Sequence, residues 1–167
     1  MPAVDADRKP QGKPARAERS EIDEGQVALL GESLLFESLD DAGRESLASE
    51  GIVHTHRAGE MVFREGDTGD SLYVVSSGRV RLVIERDGAV IEIATLQRPA
   101  CFGEASVFSG RPRAETVEAL EETRVVCYSH EHIDAVARRF PDVRKRIEAV
   151  VLGRAKAALH AIERRRS

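Results

Sequence analysis

A mainly β domain with helices before and after it is the fold class this sequence predicts, and three observations predict it. Between Ile52 and Tyr128 short apolar runs recur at close intervals and are punctuated by glycines. The dipeptide Asp87-Gly88 lies between two such runs, a strong hairpin signal, and helical spacing of apolar residues appears only outside this region. Short strands joined by glycine turns favour a small barrel or jelly roll.

Residues 1 to 21 mix Pro, Ala, Lys, Arg, Asp and Glu without periodicity, and they hold too little apolar surface to offset chain entropy. We read them as a disordered tail. From Ile22, residues Val27, Leu30, Leu34 and Leu35 suggest a helix, and Ser38-Leu39-Asp40-Asp41 is a capping sequence for a second helix through Leu47. Strands are expected at 53–56, 61–64, 72–75, 80–84, 89–96, 116–119 and 124–128. Ser129 caps a helix carrying Ile133, Val136, Ala137 and Phe140, and Pro141 interrupts it. A last helix from Asp142 to about Arg165 shows a stripe of Val143, Ile147, Val151, Ala155, Ala158 and Ile162, which needs the barrel or a second copy of the chain to cover it.

Charge is divided along the chain. Residues 22 to 137 hold 10 basic and 22 acidic side chains, whereas residues 138 to 167 hold 10 basic and 3 acidic. The basic end can fold back on its own acidic body, meet an acidic partner, or touch nucleic acid through its Glu163-Arg164-Arg165-Arg166 terminus, although one such cluster gives only salt-sensitive, nonspecific affinity. The absence of Trp removes the usual stacking platform for single strands. No apolar run is long enough for a membrane span and the N-terminus lacks a signal-peptide core, so a cytoplasmic location is expected. Cys101 and Cys127 read as buried thiols, and His54, His56, His130 and His132 as surface histidines rather than metal ligands. H-E-x-x-H, Walker A and G-x-S-x-G are all missing, and the chain is not expected to be an enzyme.

The stretch with most chemical content is FGEASVFSGRPRAETV, from Phe102 to Val117. Gly103 allows backbone to approach a ligand closely, Arg113 offers a planar fork that matches phosphate oxygens, and Glu104 offers an acceptor for a sugar hydroxyl. An anion site beside a hydroxyl site describes a ribose phosphate.

This stretch resembles the phosphate-binding cassette of cyclic nucleotide-binding domains, as in regulatory subunits of the cyclic-AMP-dependent kinase and the bacterial catabolite activator protein. Phe102, Gly103, Glu104, Pro112, Arg113, Ala114, Thr116 and Val117 fit the pattern, and RAGEMVFREGDTGDSLYVVSSGRVRLV upstream is similar to the family's barrel strands. Two residues depart from it: Ala105-Ser106 replaces Leu-Ala, and Glu115 stands where a second small residue is common, weakening the site if its side chain turns inward. The resemblance implies a β-roll spanning 22–140 and a C-terminal basic amphipathic helix at 141–167. It implies that Arg113 and the amides of Ala105, Ser106 and Ala114 hold a cyclic phosphate, and that Glu104 with the backbone near Gly103 holds the ribose 2′-hydroxyl. Cyclic AMP is favoured over cyclic GMP because Ala114 stands where cyclic-GMP binders often carry Thr.

Two functions follow as expectations. One is a regulatory sensor that binds a cyclic nucleotide and signals through its C-terminal helix to an unidentified protein partner. The other is a nucleotide-insensitive scaffold built on a degenerate site. A homodimer through the last helix is expected by analogy with bacterial relatives, and direct DNA binding is not, since the sequence to Ser167 contains no helix-turn-helix.

Overall fold

The computed structural model describes residues 24–167, so the expected N-terminal tail lies outside the described residues. Helices α1 (Glu24–Glu32) and α2 (Asp41–Glu50) precede the strands, with a 3-10 turn at Leu34–Phe36 between them. Asp40 caps α2 as its sequence predicts, its carboxylate accepting from the Gly43 amide at 2.7 Å. Leu34, expected on the apolar face, is exposed, because the helix ends before it and the tight turn points it outward.

Two antiparallel four-stranded sheets face each other. The strands are β1 (Ile52–His56), β2 (Met61–Phe63), β3 (Leu72–Ser77), β4 (Arg79–Arg86), β5 (Ala89–Gln97), β6 (Cys101–Phe102), β7 (Thr116–Ala119) and β8 (Thr123–Tyr128). One sheet has the order β1-β8-β3-β6 and the other β2-β7-β4-β5, the interleaving of a roll in which the chain passes back and forth between sheets. Asp87 and Gly88 both have positive φ, 54° and 75°, and close the β4–β5 hairpin, the turn form whose twist matches paired strands. The barrel interior is filled by Phe63, Tyr73, Val75, Leu82, Phe102, Val117 and Val125.

Period-2 alternation puts His54 and His56 on the same side of β1 as the buried register partners Val125 and Thr123. Both histidines are buried, which corrects the surface reading. Burial lowers the pKa of His56 against the pull of Glu60. His130 and His132 are half-buried and hydrogen-bonded: the His130 ring meets the Val107 carbonyl and the His132 ring meets the Ser129 hydroxyl and Glu50. Cys101 is buried and Cys127 only half-buried.

Between β6 and β7 lies a single turn of helix, α3 (Glu104–Val107). After β8 come α4 (His130–Arg139), capped by Ser129, and α5 (Pro141–Arg166), which opens on the proline as that residue permits. Helix α5 does not project away. Val143 and Ile147 pack into the core shared with α1, α2 and α4, Arg146 donates to the Leu34 carbonyl and to Glu37, and Ala161 meets Ile84 and Ile91 of the β4–β5 hairpin. The helical core and the β4–β5 hairpin therefore cover the two ends of the stripe, with a shift from the expected register: Ala155 is exposed, while Arg154 and Ala161 turn inward as 3.6 residues per turn require over this length. Among the described residues no helix is long and apolar enough to cross a membrane.

Candidate functional site

The residues from Phe102 to Thr116 wrap one end of the barrel, where α5 crosses over them. Phe102 is fully buried and stacks on Tyr73, ring centroids 5.0 Å apart, which fixes the start of the segment to β3. Gly103 follows with φ 80°, a conformation that suits glycine, and a Cβ there would lie 2.8 Å from both the Ser71 carbonyl oxygen and Arg113 Nη1. The backbone can turn into α3 at this point only because nothing projects from the glycine.

Arg113 is 2% exposed. Its Nη1 donates to the carbonyl of Ser71 at 3.0 Å and to that of Gly103 at 3.1 Å, and its guanidinium carbon stands 4.3 Å from the Phe63 ring centroid. The charge is thus held under the glycine turn by main-chain dipoles and an aromatic face. Thr116 ties the far end of the segment to the β2–β3 connection, its hydroxyl accepting from the Glu65 amide at 2.9 Å.

Glu104 is 1% exposed. Its Oε1 accepts from Arg154 Nη1 at 3.1 Å, and Arg154 Nη2 donates to the Cys101 carbonyl at 2.8 Å. The second oxygen, Oε2, is buried with no hydrogen-bond partner among the described residues, as is Ser106 Oγ. Burial pushes the Glu104 carboxyl above its ordinary range while Arg154 pulls it back.

Between this segment and α5 opens a cavity of about 420 Å³. Glu104, Ala105, Ala114 and Glu115 form one wall, Ile84, Arg86 and Ile93 of the β4–β5 hairpin a second, and α5 from Val151 to Ile162 the third. Of the expected site residues, Glu104, Ala105 and Ala114 line it, whereas Arg113 stands behind the wall, and Phe102 and Thr116 brace its ends. Glu115 has turned inward and is buried, its carboxyl pushed up to about 7 by burial first and the Glu104 carboxylate second, against Arg154 and Arg113. Arg154 was missed by sequence reasoning: it lies 50 residues from Glu104 in a helix with many basic residues, and no local signal marks it. Among the described residues no group of three His, Cys, Asp or Glu is placed to hold a metal ion.

Comparison with known proteins agrees with this architecture. The model of the cyclic nucleotide-binding domain family matches residues 53–140. The cGMP-dependent protein kinase of Eimeria tenella is 31% identical over 101 residues, which cover 60% of this chain and 10% of that protein. The Thermus thermophilus catabolite activator protein superposes with a TM-score of 0.68 at 29% identity, covering 78% of this chain and 62% of that one. The regulatory domain of Toxoplasma gondii PKA, crystallised with cAMP, superposes with a TM-score of 0.65 at 26% identity, covering 68% of this chain and 43% of that one. The chain spans a tenth or less of the length of such kinase and lysophospholipase relatives.

Proposed function

The chain belongs to the cyclic nucleotide-binding domain family, and from that premise we propose that it is a regulatory receptor for a cyclic nucleotide, cyclic AMP before cyclic GMP, acting on a partner protein through α5. The observation that carries the reading is Glu104, a wall residue of a nucleotide-sized cavity whose second carboxylate oxygen, Oε2, is buried with no donor among the described residues. Buried acceptors in native proteins are nearly always satisfied, and a ribose 2′-hydroxyl would satisfy this one. Arg113, under the same turn, supplies the positive field for the phosphate, with the amides of Ala105, Ser106 and Ala114 beside it. Ala114 provides no hydroxyl to reach guanine, which favours adenine.

A switch requires a ligand that contacts two states differently. Here the contact is Arg154: it holds Glu104 from α5, so a hydroxyl arriving at the same carboxylate alters the bond that keeps the helix down. The basic surface of α5 is then the element presented to a partner, and no catalytic role is assigned to the domain. Leu152 and Leu159 are exposed on this helix one heptad apart, which favours a second copy as one such partner. A chain that sediments as a monomer at micromolar concentration, with or without Leu152→Ser and Leu159→Ser, removes the dimer.

The alternative, a scaffold insensitive to nucleotide, is favoured by an acidic residue, Glu115, buried in the cavity wall. Calorimetric titration of the full chain with cyclic AMP and cyclic GMP separates the two. Receptor function requires saturable heat with cyclic AMP, lost in Arg113→Ala and weakened in Glu104→Gln, with melting curves showing that each variant is folded. No heat and no thermal shift at millimolar ligand leave the scaffold.

A further inference from the structure

We infer that Glu115 sets the charge of the ligand this cavity accepts: it admits an anion only while carrying a proton itself, and so prefers a singly charged phosphodiester to a doubly charged phosphate monoester. The inference rests on the receptor reading above and specifies its ligand class.

The geometry singles out this carboxyl. Glu115 is 6% exposed and shares the cavity wall with Glu104, Ala105 and Ala114. Every element around it contributes charge: Glu104 from α3, Arg154 from α5, Arg86 from β4, Arg113 from its own turn and Glu65 from the β2–β3 connection. All three arginines are already engaged, Arg86 with Glu65 at 2.7 Å, Arg154 with Glu104 at 3.1 Å and Arg113 with the Ser71 and Gly103 carbonyls. Glu115 makes no ion pair among the described residues, so it is the wall's unmatched carboxyl. Its pKa of about 7 means that both protonation states are accessible near neutrality.

An ionised Glu115 repels a phosphate placed in this cavity, whereas the neutral acid can donate a hydrogen bond to a phosphate oxygen. A cyclic phosphodiester keeps a single charge throughout the neutral range. A monoester loses its second proton near pH 6 and enters as a dianion, meeting the same carboxyl with twice the charge.

The test is isothermal titration of the full chain with cyclic AMP and with 5′-AMP at pH 6, 7 and 8, in two buffers of different ionisation enthalpy. Affinity for cyclic AMP is expected to fall about tenfold from pH 6 to pH 8, with net proton uptake on binding. Glu115→Gln, which donates at every pH, should lose this slope, bind cyclic AMP about tenfold more tightly than the unaltered chain at pH 8, and discriminate less against 5′-AMP. Glu115→Ala should also lose the slope, which separates the proton effect from the particular hydrogen bond. Binding of cyclic AMP that is flat across pH, or a slope that persists in both variants, overturns the assignment to Glu115 and leaves the receptor reading in place. No binding to any form at any pH overturns both.

Discussion

Arg154 of α5 donates from Nη1 to Glu104 Oε1 at 3.1 Å and from Nη2 to the Cys101 carbonyl at 2.8 Å, so one side chain of the C-terminal helix bonds to both sides of the glycine that opens the cassette. Removing it strands a buried carboxyl. Arg154→Ala should destabilise the chain by about 2–3 kcal/mol, less than the full cost of an unpaired buried charge because Glu104 can take up a proton. Urea unfolding measures the loss. In a double-mutant cycle, adding Glu104→Gln should cost less in the Arg154→Ala background than alone, and full additivity would show that the pair is not coupled.

Beside the same contact lies a thiol. Cys101 is buried and its pKa is pushed up to about 12, first by burial and then by the Glu104 carboxylate, so at pH 8 almost none of it is thiolate. Alkylation of the native chain should leave the Cys101 peptide unmodified, as mass spectrometry of the digest would report.

Gly103→Ala is expected to be more damaging than its single added methyl suggests. The backbone there sits at φ 80°, and the new carbon would press on the Ser71 carbonyl and on Arg113 Nη1, both fixed in the buried network. The strain and the displaced arginine together should cost about 2–4 kcal/mol. Thermal unfolding checks the magnitude. A variant as stable as the unaltered chain would mean that the turn rearranges freely and that Arg113 does not depend on the glycine for its place.

Much of this molecule was legible because its determinants are local. Glycines at forced turns, the Asp87-Gly88 hairpin and the caps Asp40 and Ser129 each act within a few residues, and each is found where the sequence places it. The turn at Gly103 and the single helical turn after it were legible for the same reason. What escaped depends on distant packing. Arg154 gains its role only when α5 folds across the barrel, and the inward turn of His54 and His56 is set by β8, which contributes register partners such as Val125 and Thr123. The stripe on α5 slips at Ala155 because three successive four-residue steps from Val143 carry it about a third of a turn round the helix, and the three-residue step to Ala158 brings it back. Glu115 was a visible departure from the pattern, but its direction depended on what stood opposite it.

That direction makes fold stability depend on pH. The Glu115 carboxyl has a raised pKa, about 7 in the folded chain against an ordinary value of 4.5. A group of this kind favours the folded state most at low pH, where both states hold the proton, and the advantage is lost as pH rises through the folded value. Between about pH 4.5 and 7 the unfolded chain ionises freely while the folded chain does not, which costs at most about 3 kcal/mol by pH 8. Glu104, also raised, acts with the same sign. Glu115→Gln removes one titrating group, so the gain in unfolding free energy over the unaltered chain should be small at pH 5, grow to pH 7 and level off by pH 8. Urea titrations of both proteins at four pH values measure that difference. A gain that stays constant would mean that burial leaves the Glu115 carboxyl at its ordinary value, and a gain that shrinks would mean that Arg154 and Arg113 outweigh burial and the Glu104 carboxylate.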